Sequence, residues 1–163
     1  MKYVKFKKRI RLKAFDYKGH YCYFVTMCTL HRRAAFTDQN VVDMLISYLR
    51  DVSKKYGFQV CAYCFMPDHA HMLVEGVNDQ SDFRRFISMF KQRTGYWYSQ
   101  EHGIPLWQIN YYEHVLRRVE SKRKIASYIL NNPVKEGIVG KHTDYPHLGS
   151  FVYGVRDEKD RQS

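Results

Sequence analysis

The stretch "YCFMPDHAHMLVEG" (Tyr63–Gly76) decides how this chain folds. Its Pro67-Asp68 pair is turn chemistry: proline presets φ and aspartate bonds back to nearby backbone. The turn separates two apolar arms, so the segment reads as a β-hairpin with an incoming strand over 58–66 and a return strand over 69–76. Side chains alternate along a strand. His69, His71, Leu73 and Glu75 therefore share one face, and Ala70, Met72 and Val74 the other. The small and apolar set suits packing on helices, which leaves the histidines on the open face, about 7 Å apart along the strand. Two imidazoles at that spacing can lean onto one cation, but two ligands are too few and a third must come from elsewhere. Two half-exposed surface histidines fit the same spacing. The pair alone does not choose between them.

Upstream, "YCYFVTMCTL" (21–30) is aromatic and β-branched and reads as the first strand. Asp38 or Asn40 can cap a helix running to about Tyr56, with Val41, Leu45, Leu49 and Val52 as its apolar stripe and Gly57 as its stop. Downstream, Ser81 is the candidate cap of a second helix. Phe83, Phe86, Ile87 and Phe90 give it a helical period, and it continues through "GYWYSQEHG". "WQINYYEHVLR" (107–117) reads as a fourth strand, and "VESKRKIASYILNNP" (119–133) as a last helix halted by Pro133. The order β-α-β-β-α-β is the α+β, ferredoxin-like (RRM-like) pattern. It predicts an antiparallel sheet with two helices on one face, plus an extra C-terminal helix.

The chain has 163 residues, 45% apolar and 16% aromatic, enough for one domain with a core. Residues 1–18 read as a basic arm, 19–150 as the domain, and 151–163 as a charged tail expected to be disordered. Lys and Arg total 27 against 16 Asp and Glu, a formal charge of +11, which points to a polyanion such as nucleic acid. The basic N-terminus lacks an apolar signal-peptide core, and no run approaches the roughly 20 apolar residues of a membrane span. A cytoplasmic protein is expected. Cys22, Cys28, Cys61 and Cys64 then read as reduced thiols, and Cys61 and Cys64, three apart on a strand, should face opposite sides.

In the last helix Ile125, Tyr128, Ile129 and Asn132 fall at i, i+3, i+4 and i+7, one face that should turn inward onto the sheet. With 14 tyrosines in the chain, a buried structural tyrosine is the ordinary reading of any one of them. Asn132, beside Pro133 on that face, is an odd core residue. A phenol and an amide delivered onto two histidines would make a metal-assisted nucleophile site.

These motifs resemble a known family. "MPDHAHMLVEG" looks like the His-hydrophobic-His (HUH) motif of the single-tyrosine HUH transposases. "LWQINYYEHVLR" followed by "YILNNPVKEG" is similar to the REP-associated tyrosine transposases within that group, over roughly residues 20–150. The resemblance implies a ferredoxin-like fold, His69 and His71 as metal ligands, Tyr128 as nucleophile and Asn132 as third ligand. It implies cleavage and rejoining of single-stranded DNA at hairpin-forming ends through a 5′-phosphotyrosine, with Mg²⁺ or Mn²⁺. Ligand softness alone would also admit Zn²⁺. Candidate DNA contacts are Arg84, Arg85, Lys91, Arg93, Arg117, Arg118, Lys122, Arg123 and Lys124; Trp107, Tyr111 and Tyr112 could stack bases, although core packing is the first reading of Trp107. His114 has no assigned role. Both monomers and homodimers occur among such enzymes, and the longer motifs favour a monomer. The main alternative is a domesticated, non-catalytic single-strand-binding protein on the same fold. A two-histidine phosphodiesterase would need a second His-x-Ser/Thr motif, which is not evident. Replication initiators with this motif are usually longer.

Overall fold

The computed structural model describes residues 12–153. Most of the basic arm and of the charged tail lies outside them. Five antiparallel strands form one sheet in the order β4-β1-β3-β2-β5. They are β1 (Cys22–Cys28), β2 (Phe58–Met66), β3 (His69–Gly76), β4 (Tyr112–Val115) and β5 (Leu148–Gly149). Helices α1 (Gln39–Tyr56) and α2 (Phe83–His102) cover one face, where Tyr23, Val25, Met72, Val74, Leu45, Leu49, Phe83, Phe86 and Phe90 form the main core. Helix α3 (Lys122–Lys135) lies on the other face, over a smaller cluster of Cys22, Cys61, Ala62, Cys64, Leu73, Ala126 and Ile129. The ferredoxin-like expectation holds, with α3 as the added layer.

The local signals act as chemistry requires. The Asp38 carboxylate accepts the Asn40 N–H at the start of α1, and Gly57, at φ 73°, closes it in the left-handed conformation that glycine adopts at least cost. At α2 the cap is Asp82, which accepts the Arg85 N–H, and not Ser81. Ser81 is fully buried and ties two loops together: its hydroxyl accepts from Val77 and Asn78 N–H and donates to the Gly57 carbonyl.

The fourth strand and the end of the last helix depart from expectation. The fourth strand is only four residues long. Before it, the Gln108 N–H bonds to Cys28 O, its side-chain amide donates to Thr29 O, and Lys91 Nζ donates to the Gln108 and Ile109 carbonyls. The segment pairs with the end of β1 only through an isolated antiparallel bridge between Thr29 and Trp107, so the ladder is interrupted before β4. Trp107 is buried, its indole N–H on Thr94 Oγ1, the packing role expected of it. Pro133 does not halt the last helix, which begins after a Ser121 cap and runs two residues past it. Near a C-terminus a proline removes only one backbone bond, and the Glu136 N–H still reaches Asn132 O.

Cys61 and Cys64 fall in the same cluster, not on opposite faces. The ladder between β2 and β3 shifts register between Val60 and Ala62, so Cys61 is an extra residue in a β-bulge. The fold also runs slightly past both expected boundaries. Tyr17 is buried with its hydroxyl on Glu113, and the Phe151 N–H bonds to Val60 O while its ring packs on Tyr63. None of the described helices is long and apolar enough to cross a membrane.

Candidate active site

Strand alternation brings His69 and His71 to the α3 side, and cross-strand register supplies their neighbours. Thr26 of β1 stands opposite His71, and Cys28 opposite His69. The His71 ring is 5% exposed, and its Nδ1 lies 2.8 Å from Thr26 Oγ1. His69 Nδ1 lies 2.6 Å from Asp68 Oδ1. The two ring centroids are 4.8 Å apart with planes at 81°. With each Nδ1 occupied, each ring has its Nε2 left to bind a ligand. Desolvation by burial lowers the pKa of both imidazoles, that of His71 to about 3. Both are therefore neutral at physiological pH, the form a metal requires.

Asp68 is held in turn by Arg32, whose Nε donates to Asp68 Oδ2 at 3.0 Å and whose Nη1 lies 2.8 Å from Cys28 Sγ. His31 and Arg32 are both left-handed, at φ 55° and 56°. For residues other than glycine this costs about 1–2 kcal/mol each.

Tyr128 departs from expectation. It is not inward but 45% exposed, at the rim of α3. The buried side of α3 is Ala126, Ile129, Asn132 and Pro133, an arc centred one position away from the expected stripe. The Tyr128 ring still faces the site, edge-on to His71 at 6.3 Å and to Phe24 at 6.2 Å, with Lys135 Nζ 5.1 Å from it. A rim position leaves the phenol open to a substrate that a core tyrosine could not reach.

Asn132 is 4% exposed, and its side-chain amide makes no hydrogen bond among the described residues. One turn beyond it, the Glu136 carboxylate acts electrostatically on His69. Tyr128, Asn132 and Glu136 thus occupy successive turns, the first beside His71, the last acting on His69, and Asn132 between them. Among the described residues no three His, Cys, Asp or Glu side chains gather as a metal cluster. The residue on α3 that could supply a third donor beside the two imidazoles is Asn132, through its amide oxygen, and such a set would suit a divalent cation.

The basic candidates divide between the two faces. Arg84, Arg85, Lys91 and Arg93 belong to α2, across the sheet from the histidines. Arg84 lies over the Tyr17 ring and Lys91 bonds the two carbonyls near β4. Arg117 and Arg118 are exposed in the loop before α3, and Arg123 and Lys124 in its first turn, on the helix that carries Tyr128. Lys122 bridges both oxygens of Glu75 at 2.9 and 2.8 Å. His114 acquires a partner, Glu120 Oε2 at 2.7 Å, which ties β4 to the loop that leads into α3.

The family model for IS200-like transposases matches residues 17–132, through the histidine pair, the tyrosine and Asn132. The chain belongs to this family. An Escherichia coli K12 REP-associated tyrosine transposase is 27% identical over 139 residues, covering 80% of this chain and 79% of that one. A Haemophilus influenzae protein is 26% identical over 152 residues, covering 83% and 82%. The solved structure of a REP-associated tyrosine transposase bound to a REP hairpin superposes with a TM-score of 0.71 at 24% identity, over 86% of this chain and 82% of that one, and it shows the shared fold. In this IS200-like transposase the residues that sequence reasoning did not assign to the site are Thr26, Arg32, Asp68 and Glu136. Glu136 alone had a linear signal, since Tyr128, Asn132 and Glu136 are each four apart.

Proposed function

We propose that this transposase cleaves and rejoins single-stranded DNA at hairpin-associated ends, with Tyr128 as nucleophile. The observation that carries the reading is the exposed Tyr128 ring edge-on to His71, beside two imidazoles whose Nδ1 atoms are already engaged. The Tyr128 Oη attacks a backbone phosphorus, the P–O3′ bond breaks, and the departing 3′-oxygen takes up a proton. The products are a 5′-phosphotyrosine and a free 3′-hydroxyl. A 3′-hydroxyl later attacks the same phosphorus and releases the tyrosine. His69, His71 and Asn132 would hold Mg²⁺ or Mn²⁺. Such an ion polarises a non-bridging phosphate oxygen and offsets the charge that develops there. Arg117, Arg118, Arg123 and Lys124 position the strand through its phosphates. The hairpin-bound relative supports a hairpin partner. Since α3 packs on β2 and β3 of its own chain, a monomer can supply all four residues. Four free cysteines suit a reducing cytoplasm.

The test is incubation of hairpin-bearing single-stranded DNA with the protein and Mn²⁺ or Mg²⁺, read on a denaturing gel. A covalent protein–DNA band is expected, absent with EDTA and absent in Tyr128→Phe. An adduct that survives in Tyr128→Phe removes the tyrosine from its role. Binding to hairpin ends without cleavage points to the non-catalytic module instead.

A further inference from the structure

We infer that Arg32 is a positioning residue, acting through Asp68 to set which nitrogen of His69 carries the proton. The inference rests on the cation reading above only in its consequence for metal binding. The two Asp68 oxygens are divided: Oδ1 takes His69 Nδ1 and Oδ2 takes the Arg32 Nε–H. Guanidinium can only donate, so it anchors Oδ2 and holds the carboxylate with Oδ1 turned to His69 Nδ1. A carboxylate that only accepts requires the proton on Nδ1, which leaves the Nε2 lone pair facing the site.

The backbone is built to place this one side chain. Residues 31 and 32 adopt the left-handed conformation in succession, which neither a histidine nor an arginine prefers. Strain of this kind persists only where surrounding bonds impose it. Here they do. The Thr29 N–H and Oγ1 both donate to Asp68 O, Thr29 Oγ1 also reaches Arg33 O, and the Phe36 N–H donates to Pro67 O. The β1–α1 loop is thereby tied to the hairpin turn that starts the histidine strand. A change of loop conformation would carry Arg32 away from Asp68. At 37% side-chain exposure Arg32 is also accessible, so a direct phosphate contact is the competing role.

Two measurements decide. The first is the tautomer of His69 in the metal-free protein, by imidazole ¹⁵N NMR. The second is Mn²⁺ affinity without DNA, by EPR. Arg32→Gly is the chosen variant, because glycine accepts the left-handed backbone and removes only the side chain. Wild type should show the Nδ1–H tautomer. Arg32→Gly should show a mixture with Nε2–H and about tenfold weaker Mn²⁺ binding, the low end for partners outside the ligand shell. Asp68→Ala should weaken Mn²⁺ further, and the double variant should bind no worse than Asp68→Ala alone. An unchanged tautomer with unchanged Mn²⁺ affinity in Arg32→Gly overturns the inference, and weakened DNA binding alone would assign Arg32 to a phosphate. Wild type that binds no Mn²⁺ overturns the cation reading, whereas a tautomer shift in Arg32→Gly still sustains the link from Arg32 to His69.

Discussion

Along β3, Ala70 and Met72 point into a layer of phenylalanines under α1 and α2, while His69 and His71 point toward α3. The same strands make both surfaces. On the helix-pair side almost every position is a large apolar group, and Tyr23, Phe83 and Phe86 are wholly buried. On the α3 side the residues are smaller, three cysteines among them, and polar groups there are bonded to one another. The first face supplies the hydrophobic stabilisation that lets the second hold two neutral imidazoles. Stability and chemistry are divided between faces by a period of two, not between domains.

That division can be broken from either side. His71→Ala should abolish the covalent DNA adduct while the protein stays folded by circular dichroism. Loss of the fold would mean that the α3 face is structural after all. Phe86→Ala, on the opposite face, should cost about 3–5 kcal/mol in urea unfolding, as large-to-small core changes do. At temperatures where it remains folded, its adduct yield should be near wild type.

The effect of pH is smaller. The unfolded chain protonates His71 below its ordinary value of 6.5, but the folded chain resists until about 3. Protons in that window favour unfolding, so stability is complete above 6.5 and declines as pH falls toward 3. Urea midpoints at several pH values should decline less steeply in His71→Gln than in wild type. Lys122→Ala removes an ion pair with a half-exposed lysine and should cost under about 1 kcal/mol in the same assay. A larger loss would mean that the seating of α3 depends on that one tether.

Much of this division is legible in the sequence because it depends on local period. The hairpin turn, the alternation along β3 and the Asp38–Gly57 limits of α1 all follow from neighbours in the chain. What depends on register is not legible. Thr26 meets His71, and Arg32 meets Asp68, only once β1 is laid beside β3. The orientation of Tyr128 was missed for a related reason. A helical stripe is read to about one residue, and that residue is the difference between a core phenol and one at the rim. The fourth strand is shorter than its β-rich composition suggests, because composition says nothing of the Gln108 and Lys91 bonds that accompany the break between the Trp107 bridge and β4. Glu136 lay beyond Pro133, where a helix was expected to stop.

The bulge at Cys61 makes the alternation of β2 behave like a reading frame. Before it, Phe58 and Val60 face the helix pair; after it, Tyr63 and Phe65 do, so the strand changes phase by one residue and the partner strand does not. Cys61 is a single-letter insertion that the sheet has absorbed as curvature. A deletion of Cys61 would keep every later side chain on its own face. A deletion at Tyr63 or Cys64 would exchange inside for outside at Met66, at the mouth of the hairpin that carries both histidines.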